Sequence, residues 1–251
     1  VPGSRNIVTV NANGIGGNDF NFGNLTTADQ SILNTAAAAY APAYTVSGND
    51  IIEYIRGDKT KESKPFRARQ VLLGDLVNSD PQYVKEGKDG GYIFLPSDIN
   101  GKSSYDQFLT DNKNRVPTVY VGSNDGMLHA FDATKSVSGG TERFAYVPKA
   151  VIPNLHELAK PNYVHRFYVD GTPMIGDAAI GTGSSPWRTV LVGTTGAGGK
   201  SVFALDVTDP ASFDKTKVLW EINSTTPSVD NDLGYTIGVA QIGVMRDGRW
   251  V

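Results

Sequence analysis

The chain contains 251 residues, of which 39% are hydrophobic, 20% are charged and 10% are aromatic. This composition supports a hydrophobic core in one or two domains and excludes wholesale disorder. The formal net charge of −3 argues against a nucleic-acid-binding protein, and no apolar run reaches the ~18 residues of a membrane span. The lack of Cys excludes thiolate catalysis, cysteine-ligated zinc and disulfides.

Residues 1–65 are predicted to form a lead-in of loops and two short helices. Asn and Gly are frequent in residues 1–23, and because both residues favour turns with positive φ, we expect a loop there. The first helix is predicted to be capped by Thr27, with Gln30 as its capping-box partner, and to end before Pro42.

A second helix is predicted over residues 49–56. Asn49 or Asp50 caps its start, and three isoleucines provide its apolar face. Gly57 follows at the position where glycine most often ends a helix, because glycine adopts positive φ without a steric penalty.

Two later segments, 118–132 and 189–206, share one pattern. Each begins with a β-branched strand, continues through a Gly-containing turn into a second strand and closes with Asp. This pattern is typical of a β-hairpin, and its recurrence indicates a repeated structural unit.

Further strands flank each hairpin. A third strand is predicted after each one, at 142–147 and 217–222. Gly-containing strands are predicted to open the units, at 72–81, 171–178 and 233–240. Four antiparallel strands repeated along a chain are the signature of a β-propeller. We therefore predict an all-β fold in which residues 66–251 form the first four-stranded blades of a partial β-propeller, within a chain that is a piece of a longer protein.

No catalytic set is apparent, and we expect no enzymatic activity. His129, His156 and His165 lack the i, i+4 spacing of a zinc helix, which favours structural or surface roles. Residues 193–201 have the composition of a phosphate loop, but a strand rather than a helix is predicted to follow. A Gly-rich hairpin turn is therefore the better interpretation.

Two acidic loops contain candidate metal ligands. Asp98 with Asn100 and Asp230 with Asp232 place oxygen donors at alternating positions, as calcium loops do. A calcium site needs about six to eight oxygens, and Lys102 interrupts the first alternation. Solvated turns are the alternative interpretation.

Arg56, Gly57 and Asp58 form an Arg-Gly-Asp tripeptide. On an exposed turn, its guanidinium and carboxylate can reach the acidic pocket and the metal ion of an integrin. The alternative is structural, because each residue also has a local role: Arg56 near a helix C-terminus, Gly57 ending that helix and Asp58 starting the next turn.

Several segments occur together in an order that resembles a known family. They are 54–58, 66–69, 73–81, 119–132 and 169–173. Over about residues 25–251, the chain resembles the C-terminal β-propeller of the PilC/PilY proteins, which are type IV pilus tip-associated adhesins and assembly factors.

The resemblance implies a quinoprotein-like propeller at the pilus tip, on the bacterial cell surface and associated with the outer membrane. It implies roles in pilus extension against retraction, in twitching motility and in attachment, with minor pilins and a host or abiotic surface receptor as partners. It also implies regulation of the full-length protein by Ca²⁺ through an Asp-rich loop, which this sequence lacks. Some relatives use an Arg-Gly-Asp tripeptide for integrin contact, so the resemblance also implies Arg56, Gly57 and Asp58 as candidate receptor-binding residues.

Two other functions stay open. The quinoprotein kinship suggests a quinone-dependent dehydrogenase, and the fold also suits a scaffold for envelope assembly. We favour a non-catalytic adhesin and assembly factor whose propeller carries contacting loops. The candidate surfaces are the insertions 85–115 and 149–168 and the turn at 56–58.

Overall fold

The computed structural model describes residues 2–87, 90–224, 226 and 232–251. Among these residues, the α-helices are α1 (Thr27–Ala38), α2 (Gly48–Arg56) and α3 (Tyr105–Asp111), and the longest 3-10 helix spans Lys149–Ala159. The strands are β1 (Ile7–Val10), β2 (Gly17–Asp19), β3 (Gln82–Val84), β4 (Thr118–Gly122), β5 (Leu128–Asp132), β6 (Glu142–Val147), β7 (Met174–Ala179), β8 (Trp187–Thr194), β9 (Ser201–Asp206) and β10 (Val218–Asn223).

The described strands form two open sheets. One sheet has the order β2-β1-β6-β5-β4-β3, and the other has the order β10-β9-β8-β7. Strands β3 to β6 and strands β7 to β10 each run in sequence order with antiparallel neighbours. The prediction of repeated four-stranded antiparallel units is therefore confirmed.

The strongest sequence signals gave the correct strands. Both hairpins form, with β4 paired to β5 and β8 paired to β9. The strands predicted at 142–147 and 217–222 correspond to β6 and β10, and the strand predicted at 171–178 corresponds to β7. The Gly-rich stretch of 193–201 connects β8 to β9 as a hairpin turn, as predicted.

Two predicted strands were wrong. Residues 72–81 are irregular, and the first unit opens instead with β3. The backbone N–H groups of Gly74 and Asn78 bind the Asp125 and Asp170 carboxylates rather than a neighbouring strand. Within 233–240, only Thr236 forms a bridge, to Gly196, so this segment is not a strand in the described part of the chain.

The N-terminal segment is also more ordered than predicted. Residues 7–10 and 17–19 are strands rather than loop, because Ile7–Val10 is a β-branched run whose side chains are all buried. Strand β1 pairs in parallel with β6, and the tip of the β1–β2 hairpin bonds β10 through Gly14 and Gly16. The segment 1–65, predicted as a lead-in, thus contributes strands to the first sheet.

Both helix starts lie slightly earlier than predicted. Thr26, rather than Thr27, caps α1, and its partner is Asp29 rather than Gln30. Ser47, rather than Asn49 or Asp50, caps α2, with Asp50 completing the capping box. In both cases the hydroxyl of the residue before the helix accepts a hydrogen bond from a backbone N–H of the first helical turn, which has no partner within the helix. Gly57 ends α2 with a φ of 109°, as predicted.

Two hydrophobic clusters explain how the parts associate. One lies between the two sheets and includes Tyr120, Phe144, Leu191 and Phe203. The other joins α1, α2 and the 3-10 helix, and it includes Leu33, Ile51 and Leu155. The helices thereby cover the first sheet. No helix in the described residues has the length and apolarity that a bilayer span requires.

Candidate binding surface

The Arg56-Gly57-Asp58 tripeptide is built into the end of α2. The Arg56 guanidinium is directed inward, donating to the carbonyl oxygens of Phe20 at 2.6 Å and Arg5 at 3.3 Å, and the residue is only 9% exposed. The Asp58 carboxylate accepts the Thr60 N–H at 2.7 Å and so starts the next turn. The structural roles expected for these residues are therefore filled, and integrin contact stays a prediction that requires Arg56 to leave its carbonyl partners.

The candidate metal ligands do not converge among the described residues. Asp98, Asn100 and Asp232 are exposed, and Asp230 lies outside the described residues. The described part of the chain contains no group of three or more His, Asp or Glu side chains arranged to hold a metal ion. Calcium binding by these residues stays a prediction.

A surface groove lies beside Gly57. It has a volume of about 330 Å³ and is bordered by four chain segments: residues 54–55 of α2, residues 67–75, the β4–β5 turn at 124–125, and Tyr163 with His165 from the insertion 149–168. Gly57 contacts its wall, since a Cβ atom added there would lie 3.1 Å from Leu72. The groove therefore brings together two of the predicted binding surfaces: the insertion 149–168, through Tyr163 and His165, and the turn at 56–58, through the contact of Gly57 with Leu72.

An apolar strip forms one side of the groove and continues beyond it. Val71, Leu72, Leu73, Leu76 and Val77 are all exposed, and Val71 reaches 71% exposure. Contiguous exposed apolar side chains on a soluble domain typically mark an interaction site. Sequence reasoning missed this strip because it assigned residues 72–81 to a strand. Gly74, Asp75 and Asn78 were the signal against that assignment, because Gly, Asp and Asn are depleted in strands.

Two arginines stack on tyrosines along the groove. The Arg69 guanidinium lies 3.5 Å from the Tyr54 ring centroid, and the Arg67 guanidinium lies 4.2 Å from that of Tyr163. Arg69 is further fixed by the Glu62 carboxylate at 2.7 Å. Stacked arginines beside apolar residues are common at protein interfaces.

A buried charge cluster supports the β4–β5 turn behind the groove. His129 bonds the Glu142 carboxylate through Nδ1 at 2.8 Å and the Asp125 carboxylate through Nε2 at 3.1 Å. The Arg5 guanidinium holds both Glu142 oxygens at 2.6 Å. Asp125 also accepts the Gly74 N–H, so the cluster connects the sheet to the apolar strip.

The cluster shifts the pKa values of its members. Burial disfavours a charged imidazole, but the carboxylates of Asp125 and Glu142 outweigh it and raise the pKa of His129 to about 9. Burial likewise opposes ionisation of Glu142, but hydrogen bonds from Arg5 and His129 lower its pKa to about 2. The arrangement is a compensated ion network with no free nucleophile.

The other two histidines lie outside this cluster. His165 bonds the Asp75 carboxylate at 2.7 Å across the groove. His156 lies near the Glu157 carboxylate, 3.5 Å from it, at the end of the 3-10 helix. The three histidines are thus placed separately, in agreement with the sequence analysis.

Comparisons with known proteins point to one family. A model of the PilY1 β-propeller domain matches residues 73–251. The chain is 40% identical over 250 residues to the type IV pilus biogenesis factor PilY1 of Pseudomonas aeruginosa strain PAK, covering 98% of this chain and 20% of that protein. It is 43% identical over 216 residues to a PilY1 homolog of Xylella fastidiosa, covering 82% of this chain and 14% of that protein.

A solved structure is similar as well. The crystal structure of the Pseudomonas aeruginosa PilY1 C-terminal domain is 37% identical, covers 67% of this chain and 30% of that chain, and gives a TM-score of 0.47. The chain spans about a fifth or less of the length of the curated relatives it matches.

Proposed function

This chain belongs to the PilY1 β-propeller family, and from that membership we propose that it serves type IV pilus biogenesis as a non-catalytic binding module. The family match also confirms the predicted family and the predicted partial propeller. The relatives are named type IV pilus biogenesis factors, which supports a pilus-associated role at the cell surface. A rigid propeller that presents irregular segments is suited to recognition rather than to chemistry.

The apolar strip is the observation that carries this proposal. Residues 71–77 place five apolar side chains at the surface, next to arginines that are held in position by tyrosine rings. Burial of such a strip by a partner contributes about 25 cal/mol per Å² of apolar area. We expect the partner to be a protein with a complementary apolar surface, such as a minor pilin at the pilus tip.

Substitutions in the strip test the proposal in the full-length protein. Val71→Asp and Val77→Asp place a charge on the strip at side chains that contribute little to the core, so the fold should persist. We expect fewer surface pili, counted in cells that retain pilus retraction, together with weaker attachment. Val137→Asp is the matched control, because Val137 is fully exposed in the loop between β5 and β6.

The outcomes separate the candidate functions. Fewer pili with an unchanged unfolding temperature support a role in pilus assembly or extension, whereas normal pili with weak attachment support adhesion to a host or abiotic surface. Defects in envelope assembly with normal pili favour the scaffold, and quinone-dependent oxidation by the purified protein favours the enzyme. Normal pili and normal attachment in both variants would contradict the proposal.

Two narrower expectations rest on the family resemblance. For integrin contact, Asp58→Glu keeps the charge but moves the carboxylate further from the backbone, so integrin adhesion should fall. Unchanged integrin adhesion would contradict integrin contact through this tripeptide. For Ca²⁺, a calcium-dependent rise in unfolding temperature should disappear in a variant combining Asp98→Asn with Asp232→Asn. If the rise persists, any calcium site lies elsewhere.

A further inference from the structure

A second cavity lies between the two sheets, away from the groove. Its volume is about 440 Å³, and it sits between the opening strands β3 and β7. Residues 82–87 line one side, with the charged Lys85 and Glu86 among them, and Ile175, Asp177 and Thr189 line the other. Arg115, which precedes β4, also lines the cavity.

Arg115 is a buried arginine in the lining of this cavity. The residue is 8% exposed, and none of its three side-chain nitrogens has a hydrogen-bond partner among the described residues. An arginine side chain stays protonated at any accessible pH, so it cannot relieve its burial by losing a proton. A buried guanidinium without an acceptor is strongly unfavourable, which indicates that a group absent from the chain's own contacts supplies one.

The neighbouring carboxylates do not supply this acceptor. Asp177 accepts from the Thr189 hydroxyl at 2.6 Å and from the Tyr105 hydroxyl at 3.0 Å. Burial raises the pKa of Asp177, although those bonds and the charge of Arg115 lower it. Neither Asp177 nor Glu86, which also lines the cavity, forms a hydrogen bond with the Arg115 side chain. Asp206 binds the Thr208 hydroxyl at 2.6 Å and pairs with Arg188.

We propose that the cavity between β3 and β7 binds a carboxylate, which accepts two parallel N–H bonds from the Arg115 guanidinium. The planar fork of a guanidinium matches the two oxygens of a carboxylate. A singly charged group suits the site better than a dianionic phosphate, because Asp177 faces the same cavity. The side chains of Val84 and Ile175 provide apolar walls for the body of the ligand.

Benzoate is the probe for a small organic acid, and a short peptide with a central Glu is the probe for a side-chain carboxylate. Each is titrated into the purified chain by calorimetry, with benzamide and the matching Gln peptide as uncharged controls. We expect one of the two acids to bind and its amide to bind about tenfold more weakly or not at all. The acid that binds identifies the source of the carboxylate.

Arg115→Met should weaken that binding by about tenfold or more, whereas Arg246→Met, at an exposed arginine, should leave it unchanged. Arg115→Met should also unfold at the same temperature as the wild type or higher, because it removes an uncompensated buried charge. The proposal is overturned if neither acid binds or if Arg115→Met binds the acid as tightly as the wild type does. It is also overturned if Arg115→Met is strongly destabilised, because that result would mean that the fold already compensates the charge of Arg115.

Discussion

Glu221 connects the two sheets through its side chain. It lies on β10, is buried, and accepts hydrogen bonds from the Tyr146 hydroxyl of β6 at 2.7 Å and from the Lys149 N–H, at the start of the 3-10 helix, at 2.8 Å. Further donors surround it: the Ala150 N–H, the Ser201 hydroxyl and the Asn223 amide. A carboxylate, which only accepts, is the side chain that fits a ring of donors.

Glu221→Gln should therefore destabilise the fold by about 3 kcal/mol. The substitution replaces one accepting oxygen by an NH2 group, so the donors that this oxygen served lose their acceptor and face another donor. Urea unfolding of the purified chain measures the free energy. Glu86→Gln, at an exposed glutamate, is the control and should change it by less than about 0.5 kcal/mol. A similar small change in Glu221→Gln would show that the donors find other partners.

His129 should make stability depend on pH. Its folded pKa of about 9 exceeds the unfolded value of 6.5, so its contribution is fully present below pH 6.5 and is lost as the pH rises through about 9. Glu142, with a folded pKa of about 2 against 4.5, contributes above pH 4.5 and loses this as the pH falls through about 2. The cluster is most stabilising between pH 4.5 and 6.5.

We expect the unfolding free energy to fall by on the order of 3 kcal/mol between about pH 6.5 and 9 in the wild type and to fall less in His129→Gln. Urea unfolding across this range is the measurement. His165→Gln, which removes an exposed imidazole, should keep the wild-type slope. Equal slopes in His129→Gln and the wild type would refute the assignment.

At the scale of single elements, helix ends show how local chemistry places the groove. Ser47 and Asp50 begin α2, and Gly57 ends it in a conformation that other residues avoid. The chain can then turn so that Leu72 packs against Gly57, which brings the apolar strip beside the helix.

Gly57→Ala should destabilise the fold by about 1–2 kcal/mol, because a Cβ at a φ of 109° is strained and would also lie 3.1 Å from Leu72. Thermal unfolding measures the loss. Gly238→Ala is the control, since an added Cβ there meets no atom within 4 Å. If both variants unfold alike, the end of α2 relaxes without strain.

At the scale of the whole molecule, the N-terminal hairpin connects the two sheets. Strand β1 covers the edge of β6, while Gly14 and Gly16 bond the backbone of β10 at 2.9 and 3.2 Å. Lys215 adds an ion pair to Asp19 at 2.7 Å. The hairpin both protects an edge strand and limits movement between the sheets.

Deletion of residues 1–24 should lower the unfolding temperature and cause self-association, because the β6 edge loses its neighbour. Light scattering coupled to size-exclusion chromatography measures the mass, and calorimetry measures the temperature. Gly14→Ala, whose Cβ would lie 2.8 Å from the Glu221 carbonyl oxygen, should give a smaller decrease and remain monomeric. A monomeric deletion variant with the wild-type unfolding temperature would contradict this role.

The sequence by itself determined the hairpins at 118–132 and 189–206, the third strand of each unit and the end of α2 at Gly57. These features depend on β-branched runs and turn residues that act within a few positions of one another, so their signals are local. The same locality explains why the family could be identified from short ordered motifs.

Only the tertiary structure decided how distant parts meet. The pairing of β1 with β6 joins Thr9 to Val147 across 138 residues, and no local pattern predicts a partner at that separation. The segment 72–81 was expected in a strand, yet it is irregular and its apolar side chains lie at the surface. The sequence left open whether Arg56 is exposed for binding or has a structural role, and in the structure it is buried. Burial depends on which surfaces the sheets and helices leave free, and that is settled only when the long-range contacts form.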